Sequence, residues 1–157
     1  MDIKFPTVTV LPATASININ GTVGATTPST VAATTISATG SVSDAAGDVR
    51  LIPANSQSAA YTLVLADAGK HIFHPAADTT ARTFTIPANA SVAYTIGTAI
   101  TFINQNAGGV ITIAITTDTM RLAGAGTTGS RTLAANGVAT AVKITSTEWI
   151  ISGTGLT

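Results

Sequence analysis

The chain has 157 residues, of which 9% are charged, and its 7 basic and 7 acidic residues give a formal net charge of zero. An ordinary globular domain carries roughly 25% charged residues, so we expect this protein to cover much of its surface with copies of itself or a larger assembly. The neutral charge argues against nucleic acid as a partner, and the absence of cysteine excludes disulfides, thiolate nucleophiles and cysteine-ligated zinc.

Residues 1–50 differ from the rest because Thr, Ala, Ser, Gly and Val dominate them and Phe5 is their one aromatic residue. Such a segment cannot bury enough apolar area by itself to offset its ordering entropy. It is either a flexible linker or an extended arm ordered by pairing with neighbouring chains, and its short apolar alternations favour the arm. The residues expected to contact other chains are Phe5, Val8, Val10, Ile17, Ile19 and Ile36.

The opening stretch, MDIKFPTVTV, has no basic region followed by an apolar one, so it does not predict a secretory signal peptide. No apolar run approaches about 18 residues, which argues against a transmembrane helix and against a membrane partner. We therefore expect the protein to act inside the cell that makes it or in a particle assembled there.

Residues 51–157 are predicted to form an all-β domain, because Thr, Ile and Val are abundant and suit the pleated surface of strands. Turn signals separate the strands about every 8–12 residues, a spacing typical of a β-sandwich, a jelly roll or a small barrel. The connection 104–109 is predicted to be a hairpin turn. The predicted strands are Tyr61–Leu65, Lys70–His74, Thr83–Ile86, Ile100–Ile103, Val110–Ile115, Ala141–Ile144 and Trp149–Ile151.

The phrase IPAN, followed a few residues later by AYT, occurs twice in the chain, 34 residues apart. In each copy we expect the isoleucine, Ile52 or Ile86, to end a strand, because the next residue is a proline that lacks the N–H of a ladder. Tyr61 or Tyr94 should then begin the next strand. The two copies predict equivalent corners of two packed sheets, and a chance match in a low-complexity composition is the alternative.

Two patterns invite a chemical interpretation. His71, His74 and Asp78 would suit a metal-dependent enzyme, but residues three apart on a strand point to opposite faces, which favours surface or subunit-contact histidines. GAGTTG at residues 124–129 matches a dinucleotide-binding pattern, yet no helix or βαβ unit surrounds it, so we predict a loop. The sequence contains neither a nucleophile elbow nor an evident carboxylate pair. We therefore expect no enzymatic activity, metal or cofactor.

The single tryptophan, Trp149, lies in the last predicted strand. An exposed tryptophan can stack on sugars, whereas one beside two isoleucines in a terminal strand is more typical of a core. A binding surface formed by Asn104, Gln105, Asn106 and Trp149 therefore remains a hypothesis beside the core interpretation.

Three stretches of the chain resemble a known family: SAAYTLVLADAGKHI, TFTIPANASVAYTIGTAITFINQNAGGVITIAI and VKITSTEWIISG. Their content and order resemble a β-domain of structural proteins in tailed-bacteriophage virions, over roughly residues 56–153. The resemblance implies a trimeric domain of the kind found in head decoration proteins, head fibres and tail fibres.

That resemblance implies a non-enzymatic virion protein, in the first place a capsid-decorating or head-fibre protein on the exterior of the capsid. Its β-domain would form a homotrimer, while residues 1–50 would dock on the major capsid protein or another virion protein by strand pairing. The alternative is a receptor- or glycan-binding module of a tail fibre or spike, whose partner would be a glycan of the host surface.

Overall fold

The structure is a computed structural model that describes residues 42–44, 47–49, 51–106 and 108–157. All of them belong to one unit, Ala38–Thr157.

The prediction of an all-β domain is confirmed: the described residues form strands and a 3₁₀ turn at Leu65–Asp67, without an α-helix. No helix among the described residues is long and apolar enough to cross a membrane. The strands are β1 Ser43–Asp44, β2 Gly47–Asp48, β3 Ala54–Ser56, β4 Tyr61–Thr62, β5 His71–His74, β6 Arg82–Ile86, β7 Ala99–Asn104, β8 Ile111–Ile115, β9 Thr119–Leu122, β10 Arg131–Lys143 and β11 Glu148–Leu156.

Strands β3 to β11 form one continuous mixed sheet, and β1 pairs with β2. Strands β3, β5 and β7 lie side by side in parallel, as do β4, β6 and β8. The two parallel groups meet at β10, which is antiparallel to β7 in its second half and to β8 in its first half. The chain therefore winds alternately between the two groups of one curled sheet, and the finer prediction of a sandwich or jelly roll is not confirmed.

A register shift of the kind that a β-bulge makes lies in β10, between the part that pairs with β8 and the part that pairs with β7. The register of β10 against β11 shifts between Leu133 and Val138. Asn136, within this stretch, has a φ of 58°, in the left-handed region that Asn tolerates better than most residues. Because a bulge bends its strand and increases the local twist, one 13-residue strand can pair with β8 before the bulge and with β7 after it.

The apolar core lies between the two parallel groups. Ile72 of β5, Phe84 of β6 and Trp149 of β11 have no exposed area and belong to one buried cluster. Since successive side chains of a strand point to opposite faces, the residues beside them point outward. The edge of the Tyr94 ring packs on Trp149, with 5.5 Å between the ring centroids.

The two IPAN phrases do not form equivalent corners, contrary to the prediction. Ile86 ends β6 and is buried, whereas Ile52 precedes β3 and is 60% exposed. Tyr61 begins β4, but Tyr94 lies outside the strands. The first phrase leads from β3 to β4 and the second from β6 to β7, so the same residues occupy different connections.

Both tyrosines nevertheless bind the same 3₁₀ turn. The Tyr61 hydroxyl donates to Asp67 Oδ2 at 2.8 Å, and the Tyr94 hydroxyl donates to the carbonyl oxygen of Val64 at 2.6 Å. The buried Asp67 carboxylate also accepts from the Asn55 side chain at 2.8 Å, which closes this end of the core with paired polar groups. Burial, reinforced by the charge of Asp67, raises the pKa of Tyr94 above its ordinary value.

The connection 104–109 is not a hairpin, which corrects a second prediction. Strands β7 and β8 do not pair with each other but with different parts of β10, so this connection crosses from one parallel group to the other. The reason is local: the Asn104 side chain points into the protein and binds carbonyl oxygens of β10. The last two strands, β10 and β11, are by contrast antiparallel neighbours that follow each other in the chain and form a hairpin.

Candidate assembly surface

The outward side of strands β5, β7 and β10 is apolar. The register aligns Phe73 with Ile103 and Ile103 with Val138, so these three side chains form a row across the sheet. Their neighbours Ile72 and Phe102 are buried, which places the row on the outer side. Val138 is 45% exposed, and Phe73 and Ile103 are partly exposed.

A second row, made of His71, Thr101 and Thr140, lies next to the first. The hydroxyl oxygens of Thr101 and Thr140 are 3.0 Å apart, within hydrogen-bonding distance. No outward residue of β5, β7 or the second half of β10 is an Asp, Glu, Lys or Arg. We name this uncharged surface the outer face, and its six central residues are His71, Phe73, Thr101, Ile103, Val138 and Thr140.

The outward side of the other parallel group has a different character. Thr83 of β6 aligns with Thr112 of β8, which aligns with Thr132 of β10. The buried Phe84 and Ile113 fix these threonines on the outside. Hydroxyl groups stay hydrated at little cost, whereas covering apolar side chains gains about 25 cal/mol per Å². The outer face is therefore the side of the sheet that gains more from being covered.

A second group of exposed apolar residues lies at the end of the sheet where β5 and β7 begin and β10 ends. Leu65 precedes β5 and is 58% exposed, Ile96 precedes β7 and is 61% exposed, and Ile144 follows β10 and is 41% exposed. The N–H of Gly97 donates to the carbonyl oxygen of Lys143 at 2.8 Å, which brings Ile96 and Ile144 to the same edge. Exposed apolar residues are ordinary when single, but several at one end are typical of a contact region.

The opposite end of the domain holds a polar network. His74 is buried, with Nδ1 3.1 Å from Asn104 Oδ1 and Nε2 3.0 Å from Asp78 Oδ2. Arg82 donates from Nε to the same carboxylate at 2.7 Å. The hydrogen bonds from Arg82 and His74 hold the pKa of Asp78 well below its ordinary value. These contacts join the connection between β5 and β6 to the end of β7.

The two histidines of the possible metal site lie on opposite sides of β5, as their spacing predicts. His74 is inside, in the polar network, while His71 is on the outer face, with Nδ1 3.0 Å from the carbonyl oxygen of Ile52. In the described part of the chain, no three His, Asp or Glu side chains are grouped to hold a metal ion. The fold therefore brings His74 and Asp78 into contact, whereas His71 lies on the other side of the strand, away from both of them.

The four residues of the hypothetical glycan surface do not share an exposed surface. Asn104, Asn106 and Trp149 have no exposed area, and Gln105 alone is exposed. The Asn104 amide nitrogen lies within hydrogen-bonding distance of three carbonyl oxygens, two of them in β10, and its oxygen accepts from the N–H of Asn106 at 3.1 Å. These asparagines hold the connection against β10, and the core interpretation of Trp149 is confirmed.

The stretch GAGTTG forms a loop between β9 and β10, as predicted. Gly124 and Gly126 have φ values of 79° and 72°, in the left-handed region that favours glycine. Arg121 donates to the carbonyl oxygen of Gly126 at 3.0 Å and to Glu148 at 2.7 Å. The arginine therefore ties the loop to β11 at the border of the sheet.

The contacts predicted for the N-terminal arm concern residues that lie outside the described part of the chain. They are Phe5, Val8, Val10, Ile17, Ile19 and Ile36.

Comparison with known proteins gives no family assignment. No protein-family model matches the chain, and no curated protein sequence matches it significantly.

Proposed function

We propose that this protein is a non-enzymatic structural protein of a tailed-bacteriophage virion that assembles as a homotrimer through its outer face. The observation that carries the proposal is the uncharged row of Phe73, Ile103 and Val138, which is partly exposed in the described part of the chain. Identical uncharged faces meet without like-charge repulsion, whereas a charged partner would lose hydration without gaining an ion pair. Further copies of this chain are thus the occupants that this surface fits, and the number of three rests on the resemblance to trimeric virion domains.

The place in the virion follows from the resemblance of residues 56–153 to head and fibre proteins. In this proposal the curled sheet acts as a jelly-roll-like trimeric domain, and residues 1–50 dock on the major capsid protein or another virion protein. Capsid decoration or a head fibre is favoured over a glycan-binding tail module because Trp149 is buried. A buried indole offers no platform on which a sugar can stack.

Antibody labelling of particles tests this role. An antiserum raised against the full chain should label the heads of particles pelleted from a culture that produces the protein, as seen by negative-stain electron microscopy. Labelling of tail tips would instead favour the alternative function, a glycan-binding module of the tail, over capsid decoration. Labelling of no particle, with the protein recovered only in the particle-free supernatant, would contradict a virion role.

A matched pair of variants tests the surface itself. Phe73→Asp places a charge in the apolar row, where three copies would have to bury it, so we expect sedimentation velocity to show dissociation to monomers. Thr83→Asp introduces the same charge on the threonine side and should leave the assembly intact. If Phe73→Asp sediments as an oligomer like the wild type, the outer face is not the contact.

A further inference from the structure

A buried lysine, Lys143, meets an asparagine side chain from a distant part of the chain. Lys143 is the last residue of β10 and is 1% exposed. Its Nζ donates a hydrogen bond to Oδ1 of Asn89 at 2.7 Å, although the two residues are 54 positions apart. Asn89 lies in the turn that follows β6. The contact therefore joins the connection between β6 and β7 to the end of β10.

The surroundings of Nζ are apolar and aromatic. Nζ lies over the Trp149 ring, 5.4 Å from its centroid, and Trp149 is fully buried. The ion pairs found among the described residues do not include Lys143. A buried ammonium paired with one neutral amide and one ring is a costly arrangement compared with an ion pair. A covalent amide between the two side chains removes that charge from the interior.

The hydrogen bond brings the lysine nitrogen close to the amide carbon of Asn89. With a C=O bond of about 1.23 Å and an angle of about 120° at oxygen, Nζ lies about 3.5 Å from Cγ of Asn89. That separation is at the outer limit of the distance for a near-attack arrangement, about 3–3.5 Å between reacting atoms, and the attack itself requires Nζ to move from the oxygen to a position above the plane of the amide. The Asn89 backbone is held in place, since its N–H donates to Asp118 Oδ2 at 2.9 Å.

We propose that Lys143 and Asn89 are joined by an intramolecular isopeptide bond. The uncharged amine of Lys143 attacks Cγ of Asn89, because only the lone pair of the amine is nucleophilic. A bond forms between Nζ and Cγ, and the bond between Cγ and Nδ2 breaks. One proton passes from Nζ to Nδ2, which leaves as ammonia. No oxidant, reductant or further reactant is needed.

The bond would convert a hydrogen-bonded contact into a covalent clamp. It closes the segment between residues 89 and 143, which includes β7, β8 and β9, and a cross-link of this kind restricts the unfolded chain. The inference does not depend on the proposed role in a virion, because it concerns a contact within one chain. The bond would constrain this cysteine-free chain in the way that disulfides constrain other proteins.

Intact-mass spectrometry of the denatured full chain tests the bond. The wild type should weigh about 17 Da less than its sequence mass, the mass of one ammonia. Trypsin should then fail to cleave after Lys143, so that peptide 83–121 and peptide 132–157 are recovered as one cross-linked species. A wild-type mass equal to the sequence mass, with peptide 132–143 released normally, would overturn the proposal.

A Lys143→Arg variant is the matched control, because it keeps the positive charge but removes the attacking amine. We expect this variant to show the full sequence mass. The control is needed because Asn136 precedes Gly137, and a succinimide formed there from Asn136 also releases ammonia. A loss of about 17 Da that persists in Lys143→Arg would therefore assign the lost ammonia to another site and reject the isopeptide bond.

Discussion

Replacing Asn104 by alanine should destabilise the domain strongly, because its side chain is a buried polar connector. Its amide nitrogen, with two hydrogens, faces three carbonyl oxygens at 3.0–3.2 Å. Its oxygen faces His74 Nδ1 and the N–H of Asn106, both at 3.1 Å. About four hydrogen bonds are lost at roughly 1 kcal/mol each, and their partners remain buried. We expect a loss of about 3–5 kcal/mol in the free energy of unfolding.

Urea denaturation followed by tryptophan fluorescence measures this loss, because Trp149 is the only tryptophan and is fully buried. For a domain of this size the same loss lowers the melting temperature by about 10–20 °C. Gln105→Ala, at the exposed neighbouring position, should change stability by no more than about 0.5 kcal/mol. If Asn104→Ala unfolds at the same urea concentration as Gln105→Ala, the connector role assigned to Asn104 is refuted.

Two further changes probe other parts of the domain. Asp78→Asn should lower stability at neutral pH, because Arg82 and His74 stabilise the ionised carboxylate and depress its pKa. That contribution is fully present above the ordinary pKa of about 4 and is lost only as the pH falls through the depressed pKa. The gap between the urea midpoints of Asp78→Asn and wild type should therefore begin to narrow below about pH 4 and narrow further with each lower pH; a gap that stays constant would speak against the ion pair. Gly153→Ala should weaken the β10–β11 pairing by about 1–3 kcal/mol or more, because a Cβ at this position would stand 2.5 Å from Cα of Ala139. Thermal unfolding that matches the wild type would show that the strands can separate at no cost.

The sequence was sufficient to predict the strand content and much of the inside–outside pattern. In the predicted strand Thr83–Ile86, alternation puts Phe84 and Ile86 on the same side, and both are buried. Trp149 beside two isoleucines indicated a core residue, and it is one. These predictions succeed because alternation within a strand is a local property that a short stretch fixes by itself.

Strand pairing could not be predicted in the same way. Residues 104–109 look like a hairpin turn, because nothing local distinguishes a turn between paired strands from a crossing between two parallel groups. The outer face was missed for the same reason: Phe73, Ile103 and Val138 are far apart in sequence and meet only through the register of three strands. The bulge within β10 was also not predicted from the sequence. The pair Asn136-Gly137 is compatible with a bulge, because both residue types tolerate a positive φ, but it does not by itself indicate one.

The polar residues of the interior were also beyond local patterns. Asp67 is the last residue of the 3₁₀ turn, and its buried carboxylate accepts hydrogen bonds from Tyr61 and Asn55. Nothing in the sequence indicated that Lys143 is buried, since a lysine at the end of a strand is ordinarily exposed. Which polar residue becomes buried depends on the partner that the fold brings to it.

The molar mass of the wild-type chain in solution, measured by light scattering after size-exclusion chromatography, tests most directly whether the outer face is covered by identical copies. We expect about three times the chain mass of 15.6 kDa, held down to micromolar protein. A single species of 15.6 kDa over the whole concentration range would contradict the assembly role of the outer face.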